Sequence, residues 1–189
     1  FQCFDLCAAS DFLGQLATTG YGFWADIENT MCVILWSQNP HQGNPAAVQH
    51  LLAAKKRGAK LFYVDPRRNQ IASAADIHIR PKPGTDGVIL LAMLNTIITE
   101  DLYDKEFVRN WTVGFDKLAE RVRQYTAEEA ERVSGVKAED IRAIARTFAA
   151  VKPACIEHGW KVNQCRNCLL YTSDAADDLR CVALGGRRT

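Results

Sequence analysis

The sequence lacks several features that would point to whole classes of protein. Its 189 residues contain no apolar run of the roughly 20 residues that a transmembrane helix needs, which predicts no membrane span. The formal net charge is only +1 and the basic residues are scattered, which argues against a nucleic-acid partner. The seven cysteines are odd in number and irregularly spaced, unlike a disulfide framework. The sequence begins with Phe1 rather than methionine, so it reads as the middle of a longer chain. The lack of a recognisable secretory signal therefore does not indicate a cellular compartment.

A β-α-β unit is predicted over residues 31–68. Residues 31–36 form a short, β-branched and aromatic run that suits a strand buried on both faces of a parallel sheet. Two Asn-Pro pairs and Gly43 then break the strand, and a helix follows over residues 46–58. Residues 59–65 read as a second strand, which a right-handed crossover would lay parallel to the first. The apolar stripe expected on the helix consists of Ala47, Val48, Leu51, Leu52 and Ala54.

The rest of the sequence extends this pattern into a larger α/β domain. A third strand is predicted over residues 76–80, a turn over 81–87 and a helix over 88–100. Four amphipathic helices are expected between residues 102 and 152, and 153–159 reads as a further strand. We therefore predict a doubly wound, mostly parallel Rossmann-like sheet with helices on both faces.

Two loops of the β-α-β unit are suited to anionic ligands. Residues 36–43 combine backbone N–H groups with the start of a helix, and residues 65–68 supply an acid and two guanidiniums. Both follow the carboxyl ends of strands, where open α/β sheets bind ligands. Gly84, Thr85 and Asp86 form either a third polar loop at this edge or simply a turn with a helix N-cap.

Two cysteines near the start of the sequence precede a series of glycines. Cys3 and Cys7 lie four residues apart, and Cys7 is followed by Gly14, Gly20 and Gly22. Glycines at such intervals allow the backbone to approach a bulky ligand closely. From spacing alone, the favoured interpretation of Cys7 is a small buried apolar side chain, because cysteine is among the most buried residue types.

We interpret residues 168–189 as a sequence without biological origin. The run from Cys168 to Asp177 is what one reading frame of a common transposase adapter encodes, and VALGGRR resembles the far end of the same adapter. Residues 168–189 are therefore excluded from fold reasoning, as an expression scar would be. The C-x-x-C formed by Cys165 and Cys168 then loses its second cysteine as an argument for zinc or redox chemistry.

Five segments occur in a specific order along residues 1–167: Cys7, LWSQNP, AKKRGAKLFYVDPRR, ADIHIRPKPGTDG and YTAEEAERVSGV. In this series the sequence resembles the central part of the catalytic subunits of molybdopterin guanine dinucleotide oxidoreductases, the dimethyl sulfoxide reductase superfamily. Formate dehydrogenases, nitrate reductases and polysulfide reductases belong to this superfamily. The resemblance implies a molybdenum or tungsten ion that is held between two molybdopterin guanine dinucleotides, with one protein side chain completing the metal coordination. The glycine offsets after Cys7 match those of formate dehydrogenases, so Cys7 becomes the expected metal ligand, and a soft thiolate suits such a sulfur-rich centre.

The resemblance also implies which residues bind the cofactor. The WSQNPHQG loop would hold a pyrophosphate through its N–H groups, with an added amide from Asn39. Asp65, or else Asp86, would accept hydrogen bonds from ribose hydroxyls or a guanine edge. Arg67 and Arg68 would balance phosphate charge, or form surface salt bridges, and Gln164 falls where the family has a pterin-contacting glutamine. The implied cofactor-binding set is Trp36, Ser37, Gln38, Asn39, Pro40, Gly43, Asp65, Pro66, Arg67, Arg68, Gly84, Thr85, Asp86 and Gln164.

The expected activity is a two-electron transfer accompanied by an oxygen atom or a proton, on a small-molecule substrate. Electrons would leave through a [4Fe-4S] cluster encoded upstream and an iron-sulfur partner subunit. Formate dehydrogenases carry a histidine directly after the ligand, whereas Ala8 follows Cys7 here, which argues against formate as the substrate. His41 and His158 are read either as proton carriers or as structural histidines. Two alternatives stay open: a non-redox hydratase or transhydroxylase of the same superfamily, and a metal-free scaffold such as the large iron-sulfur subunit of complex I.

Overall fold

A four-stranded parallel sheet is the centre of the structure. The computed structural model describes residues 25–159. The strands are β1 (Cys32–Trp36), β2 (Lys60–Val64), β3 (Ile77–Ile79) and β4 (Ala154–His158), in the spatial order β3-β2-β1-β4. All three pairings are parallel, and Val33 of β1 lies opposite Leu61 of β2 and Cys155 of β4. The predicted parallel pairing of the first two strands is confirmed.

Seven α-helices and one 3-10 helix connect and cover the strands in the described part of the chain. The 3-10 helix spans Gln70–Ser73 and precedes β3. None of these helices is long and apolar enough to cross a membrane. The α-helices are α1 (Pro40–Gly43), α2 (Pro45–Lys56), α3 (Asp86–Thr99), α4 (Lys105–Trp111), α5 (Phe115–Val122), α6 (Ala127–Ser134) and α7 (Ala138–Ala150).

Strand β1 is buried on both faces, as its uninterrupted apolar sequence predicts. Cys32, Ile34 and Trp36 face the larger core cluster, whereas Val33 and Leu35 face a smaller one. The larger cluster lies under α3, α6 and α7, and the smaller one lies under α2 and the 3-10 helix. Full burial of one large aliphatic or aromatic side chain contributes about 1.5–3 kcal/mol, so the two clusters fix β1 at the centre of the domain.

The predicted core of the last helix is confirmed, and one position of the apolar stripe predicted for α2 is wrong. The inward set expected on residues 136–152, namely Val136, Ile141, Ile144, Ala145 and Phe148, is buried. On α2, Ala47, Leu51 and Ala54 are buried, but Leu52 is 40% exposed. The smaller cluster covers only a narrow strip of α2, so Leu52 at the edge of the predicted stripe faces solvent and Val48 is only partly buried.

The loop expected between β1 and α2 contains a helical turn of its own. Residues Pro40–Gly43 form α1, and Asn44 then starts α2 by accepting the N–H of Ala47 through its side chain at 3.3 Å. Pro45 occupies the first turn of α2, where its missing N–H costs no hydrogen bond. Each Asn-Pro pair therefore begins a helix, α1 in the first case and α2 in the second.

Gly159 closes the contact between the end of β4 and the end of β1. Its N–H donates to the carbonyl of Trp36 at 2.8 Å, and a Cβ at this position would lie 2.2 Å from the carbonyl oxygen of Ser37. We expect Gly159→Ala to lower the free energy of unfolding by about 1–3 kcal/mol, because the clash is with backbone rather than with a flexible side chain. Urea denaturation measures this change. Gly43→Ala is the control, since nothing lies within 4 Å of its added methyl, and an equal loss in both variants would contradict the prediction.

Asp76 joins the start of β2 to α2. Its carboxylate accepts the N–H of Leu61 at 2.8 Å and forms an ion pair with Lys55. Burial alone would raise the pKa of Asp76, but the Lys55 and Leu61 hydrogen bonds outweigh it and hold the pKa below its usual value. The stability that Asp76 contributes is therefore present above its unfolded-state pKa and is lost as the pH falls through the lower folded-state pKa.

We expect Asp76→Asn to lower the free energy of unfolding at neutral pH by about 1–3 kcal/mol and to flatten its decline in acid. Unfolding curves in urea at a series of pH values from neutral to about 3 would measure both effects. An acid decline as steep in the variant as in the wild-type chain would contradict the assignment.

Candidate cofactor-binding site

The strand order places a crevice at the carboxyl ends of β1 and β4. The chain leaves β1 toward β2 and β3 on one side of the sheet, and β4 is added on the other side of β1. Ligands of open α/β sheets bind at the carboxyl ends of the strands, where the strand order reverses. The loop after β1 therefore occupies the position where this fold binds ligands.

The first residues of this loop are fixed to both neighbouring strands. Ser37 has a positive φ of 49° and donates its N–H to the carbonyl of Val64 at 2.7 Å. On the other side, the N–H of Gly159, which follows β4, donates to the carbonyl of Trp36. The chain is thus held in a sparsely populated backbone conformation by contacts on both sides, which is typical of functional loops.

Only some N–H groups of the loop remain for a ligand. The N–H groups of Gln42 and Gly43 donate to the carbonyl of Asn39, and Asn44 donates to the carbonyl of Pro40. Within residues 25–159, the N–H groups of Gln38, Asn39 and His41 have no hydrogen-bond acceptor. The expected cradle of backbone donors is therefore confined to Gln38, Asn39 and His41 of the WSQNPHQG loop.

Three side-chain atoms in the same loop are buried without a hydrogen-bond partner. They are Oε1 of Gln38, Oδ1 of Asn39 and Nδ1 of His41. Native structures rarely leave such atoms unsatisfied, because each costs about 1–3 kcal/mol. Three such atoms lie within residues 38–41, at the point where the order of the strands reverses. Their position indicates that a bound molecule supplies the missing hydrogen bonds.

Trp36 and Asp86 connect the end of β1 with the start of α3. The Trp36 ring is 1% exposed and lies in the larger core cluster, and its indole N–H donates to Oδ1 of Asp86 at 2.7 Å. Thr85 donates its hydroxyl to the carbonyl of Lys82 at 2.7 Å instead of capping α3. Gly84 supplies a positive φ of 83° in the preceding turn. The Gly84–Asp86 turn is therefore at the same edge of the sheet as the end of β1.

Asp65 organises the loop that follows β2. The residue is 2% exposed, and its Oδ1 accepts the N–H of Arg67 at 2.7 Å and the Arg67 guanidinium at 3.3 Å. The Asp65 carbonyl contacts Nε2 of His78 at 2.9 Å, and the Pro66 carbonyl accepts from Arg80 at 2.9 Å. A carboxylate has about four acceptor positions, so Asp65 can accept further donors while it holds this turn.

Two ionisable side chains beside Asp65, Tyr63 and Arg67, have raised pKa values. Burial, and then the charge of Asp65, raises the pKa of Tyr63 to about 12, and the Tyr63 hydroxyl accepts the amide of Asn69 at 2.6 Å. The hydrogen bond to Asp65 raises the pKa of Arg67 further above its usual range. Arg67 thus forms the salt bridge that was one of its two expected roles, while its side chain remains 60% exposed.

Cys7, Gln164 and the 168–189 tail lie outside the described residues. Within residues 25–159, no cluster of three or more metal-binding side chains occurs. Burial raises the pKa of the Cys32 thiol to about 12, so Cys32 is a protonated core residue and a poor metal ligand.

Comparisons with known proteins identify the family of this chain. The family model described as molybdopterin oxidoreductase matches residues 1–172. The chain belongs to the molybdopterin oxidoreductase family. Acetylene hydratase of Syntrophotalea acetylenica is 41% identical over 147 residues, which are 77% of this chain and 20% of the hydratase. Formate dehydrogenase H of Escherichia coli (strain K12) is 41% identical over 139 residues, 74% of this chain and 19% of that protein.

A solved structure shows the same fold. The structure of acetylene hydratase from Pelobacter acetylenicus superposes with a TM-score of 0.89 at 34% identity, covering 96% of this chain and 25% of that one. The chain therefore spans about a fifth to a quarter of the length of these relatives. Members of the dimethyl sulfoxide reductase superfamily include redox enzymes and this hydratase, so membership alone does not define the reaction.

The described residues of this molybdopterin oxidoreductase chain fit a large polar cofactor. The loop after β1 has buried polar atoms and free N–H groups that need partners. The loop after β2 has a buried carboxylate and two exposed guanidiniums. Sequence reasoning missed Glu157 and Gly159, which border the crevice from β4, although a glutamate at the carboxyl end of a predicted strand was a signal for the first of them.

Proposed function

We propose that this chain is part of the catalytic subunit of a molybdenum or tungsten bis(molybdopterin guanine dinucleotide) oxidoreductase. The activity is a two-electron transfer coupled to an oxygen atom or a proton. The observation that supports this most directly is the set of three unsatisfied buried polar atoms at the switch point of the sheet, in a chain of the molybdopterin family.

Each loop at the carboxyl edge has a separate part in holding the cofactor. N–H groups of Gln38, Asn39 and His41 bind phosphate oxygens, because they are the loop donors left without an acceptor. Asp65 accepts from ribose hydroxyls or the guanine edge, and the exposed Arg67 and Arg68 balance phosphate charge. Asp86 is the second acidic candidate, with one oxygen already held by Trp36. Gln164 contacts the pterin and Cys7 supplies the metal ligand.

The metal-pterin centre, when bound, supplies the two-electron redox chemistry. The protein chain orients it and excludes water at the switch point. His41 has a buried, unpartnered Nδ1, which allows this ring either to carry a proton or to bind the cofactor as a structural residue. A [4Fe-4S] cluster in the upstream part of the subunit and an iron-sulfur partner subunit complete the electron path, and the substrate is a small molecule.

A second candidate function is a non-redox hydration. It is favoured by one observation, the 41% identity to an acetylene hydratase, which equals that to formate dehydrogenase H. The metal-free scaffold alternative is disfavoured, because such a protein needs no polar groups left unsatisfied at a cofactor edge.

Metal and nucleotide analysis of the full-length subunit tests the proposal. We expect about one molybdenum or tungsten and two guanine nucleotides released by acid per polypeptide. Reduction of an artificial electron acceptor would then identify the redox function, whereas metal and nucleotide without any electron transfer would identify the hydratase. A folded full-length protein with neither metal nor pterin would reject both.

A further inference from the structure

The side chain of Gln38 is oriented by a carboxylate from the neighbouring strand. Its amide Nε2 donates to Oε1 of Glu157 at 3.3 Å. Glu157 lies on β4 in register with Leu35 of β1, one residue before the end of the strand. The contact therefore crosses the crevice between β1 and β4, where the order of the strands reverses.

This contact determines which end of the Gln38 amide is available to a ligand. A carboxylate only accepts hydrogen bonds, so the NH₂ end of the amide must face Glu157. The Oε1 end is then fixed on the other side, where it is buried and has no donor in residues 25–159. Gln38 thus presents an acceptor of known orientation that requires a hydrogen-bond donor from a bound molecule.

We propose that Gln38 recognises the N–H edge of a 2-amino-4-oxopyrimidine ring, and that Glu157 is its positioning residue. This ring edge, with a ring N–H beside an exocyclic NH₂ group, is common to guanine and to pterin. The inference rests on the proposed function and deepens it by assigning one contact to the heterocycle. Phosphate oxygens are excluded at this contact, because they cannot donate to Oε1 and are repelled by the carboxylate behind the amide.

A hydroxyl group would not need this arrangement. A ribose hydroxyl both donates and accepts, so it would bind either end of an unrestrained glutamine amide. Fixing the amide by Glu157 matters only for a ligand group that donates and cannot accept, which describes ring N–H and amino groups. The loop thereby has two distinct parts: backbone N–H groups for phosphate, and the Gln38 side chain for a heterocycle.

Paired ligands with and without the 2-amino group test the proposal on the 189-residue chain. GDP has the 2-amino group of guanine and IDP lacks it, while lumazine has an oxo group where pterin has its 2-amino group. We expect the wild-type chain to bind the amino-bearing member of one pair about tenfold more tightly, as for one hydrogen bond to a buried acceptor. The pair that shows the preference identifies guanine or pterin as the source. Isothermal titration calorimetry measures each affinity without any enzymatic turnover.

Three variants separate recognition from folding. Gln38→Leu should bind both members of the pair equally, and Glu157→Gln should lose most of the preference while the affinity for the member without the amino group is unchanged. Gln49→Leu, on the exposed side of α2, should keep the wild-type ratio. Circular dichroism and thermal unfolding show that each variant is folded.

Two results would overturn the proposal. One is equal wild-type affinity within both pairs, or no binding of any of the four probes. The other is a preference that survives in a folded Gln38→Leu variant. The proposed function fails separately, through absence of metal from the full-length subunit, so the two outcomes are distinguishable.

Discussion

Replacement of Cys7 by serine in the full-length subunit is expected to leave folding and pterin content intact while turnover falls steeply. Serine offers a harder oxygen donor of nearly the same size, which suits a soft, sulfur-rich metal centre less well. Changes to residues behind a metal ligand typically cost 10- to 100-fold in affinity or activity, and loss of the ligand itself should cost at least about 100-fold. The redox behaviour of the metal should shift as well.

X-ray absorption on two variants provides the measurement for Cys7. The Cys7→Ser protein should lose one sulfur scatterer from the metal's coordination shell, and the matched Cys3→Ser protein should lose none. The distinction follows from sequence, because Gly14, Gly20 and Gly22 have the family spacing when counted from Cys7 and not from Cys3. Loss of sulfur in the Cys3 variant alone would transfer the ligand assignment to Cys3.

Replacement of Trp36 by alanine is expected to lower the free energy of unfolding by about 3–5 kcal/mol, the usual cost of removing a buried aromatic side chain. Trp36→Phe keeps most of the packing but removes the indole N–H, and should cost about 1–2 kcal/mol because Oδ1 of Asp86 loses its donor. Urea denaturation followed by circular dichroism measures both. Trp111→Phe is the control, since Trp111 is 66% exposed and should change stability little.

A double-mutant cycle isolates the hydrogen bond between Trp36 and Asp86. Trp36→Phe should cost less in an Asp86→Ala background than in the wild-type chain, because no carboxylate then remains to be satisfied. Equal costs in both backgrounds would show that Trp36 acts by packing alone.

The parts of the fold that depend on local sequence were predictable. The burial of β1 on both faces follows from an apolar run, and the start of α2 follows from Asn44 and Pro45. The inward face of α7 follows from helical periodicity. In each case the deciding interactions lie within a few residues of one another.

The parts that depend on long-range contacts were not predictable from one sequence. The pairing of β4 with β1, the Trp36–Asp86 hydrogen bond and the Gln38–Glu157 contact join residues far apart in the chain. Leu52 was misplaced because periodicity shows which residues share a helix face but not how wide the covering cluster is. The sequence identified the loops at the carboxyl ends of the strands. The orientations of the side chains within these loops could be read only from the structure.

The position of β4 in the sheet also affects the order in which the domain can form on the ribosome. Strands β1, β2 and β3 are complete by Ile79, but the second neighbour of β1 begins only at Ala154. At translation rates of roughly 5–20 residues per second, the β4 side of β1 stays unpaired for several seconds or more. During that interval β1, the most apolar of the four strands in residues 25–159, has an open edge, which is a template for aggregation. Nascent chains of this protein should therefore depend on a chaperone until β4 has emerged.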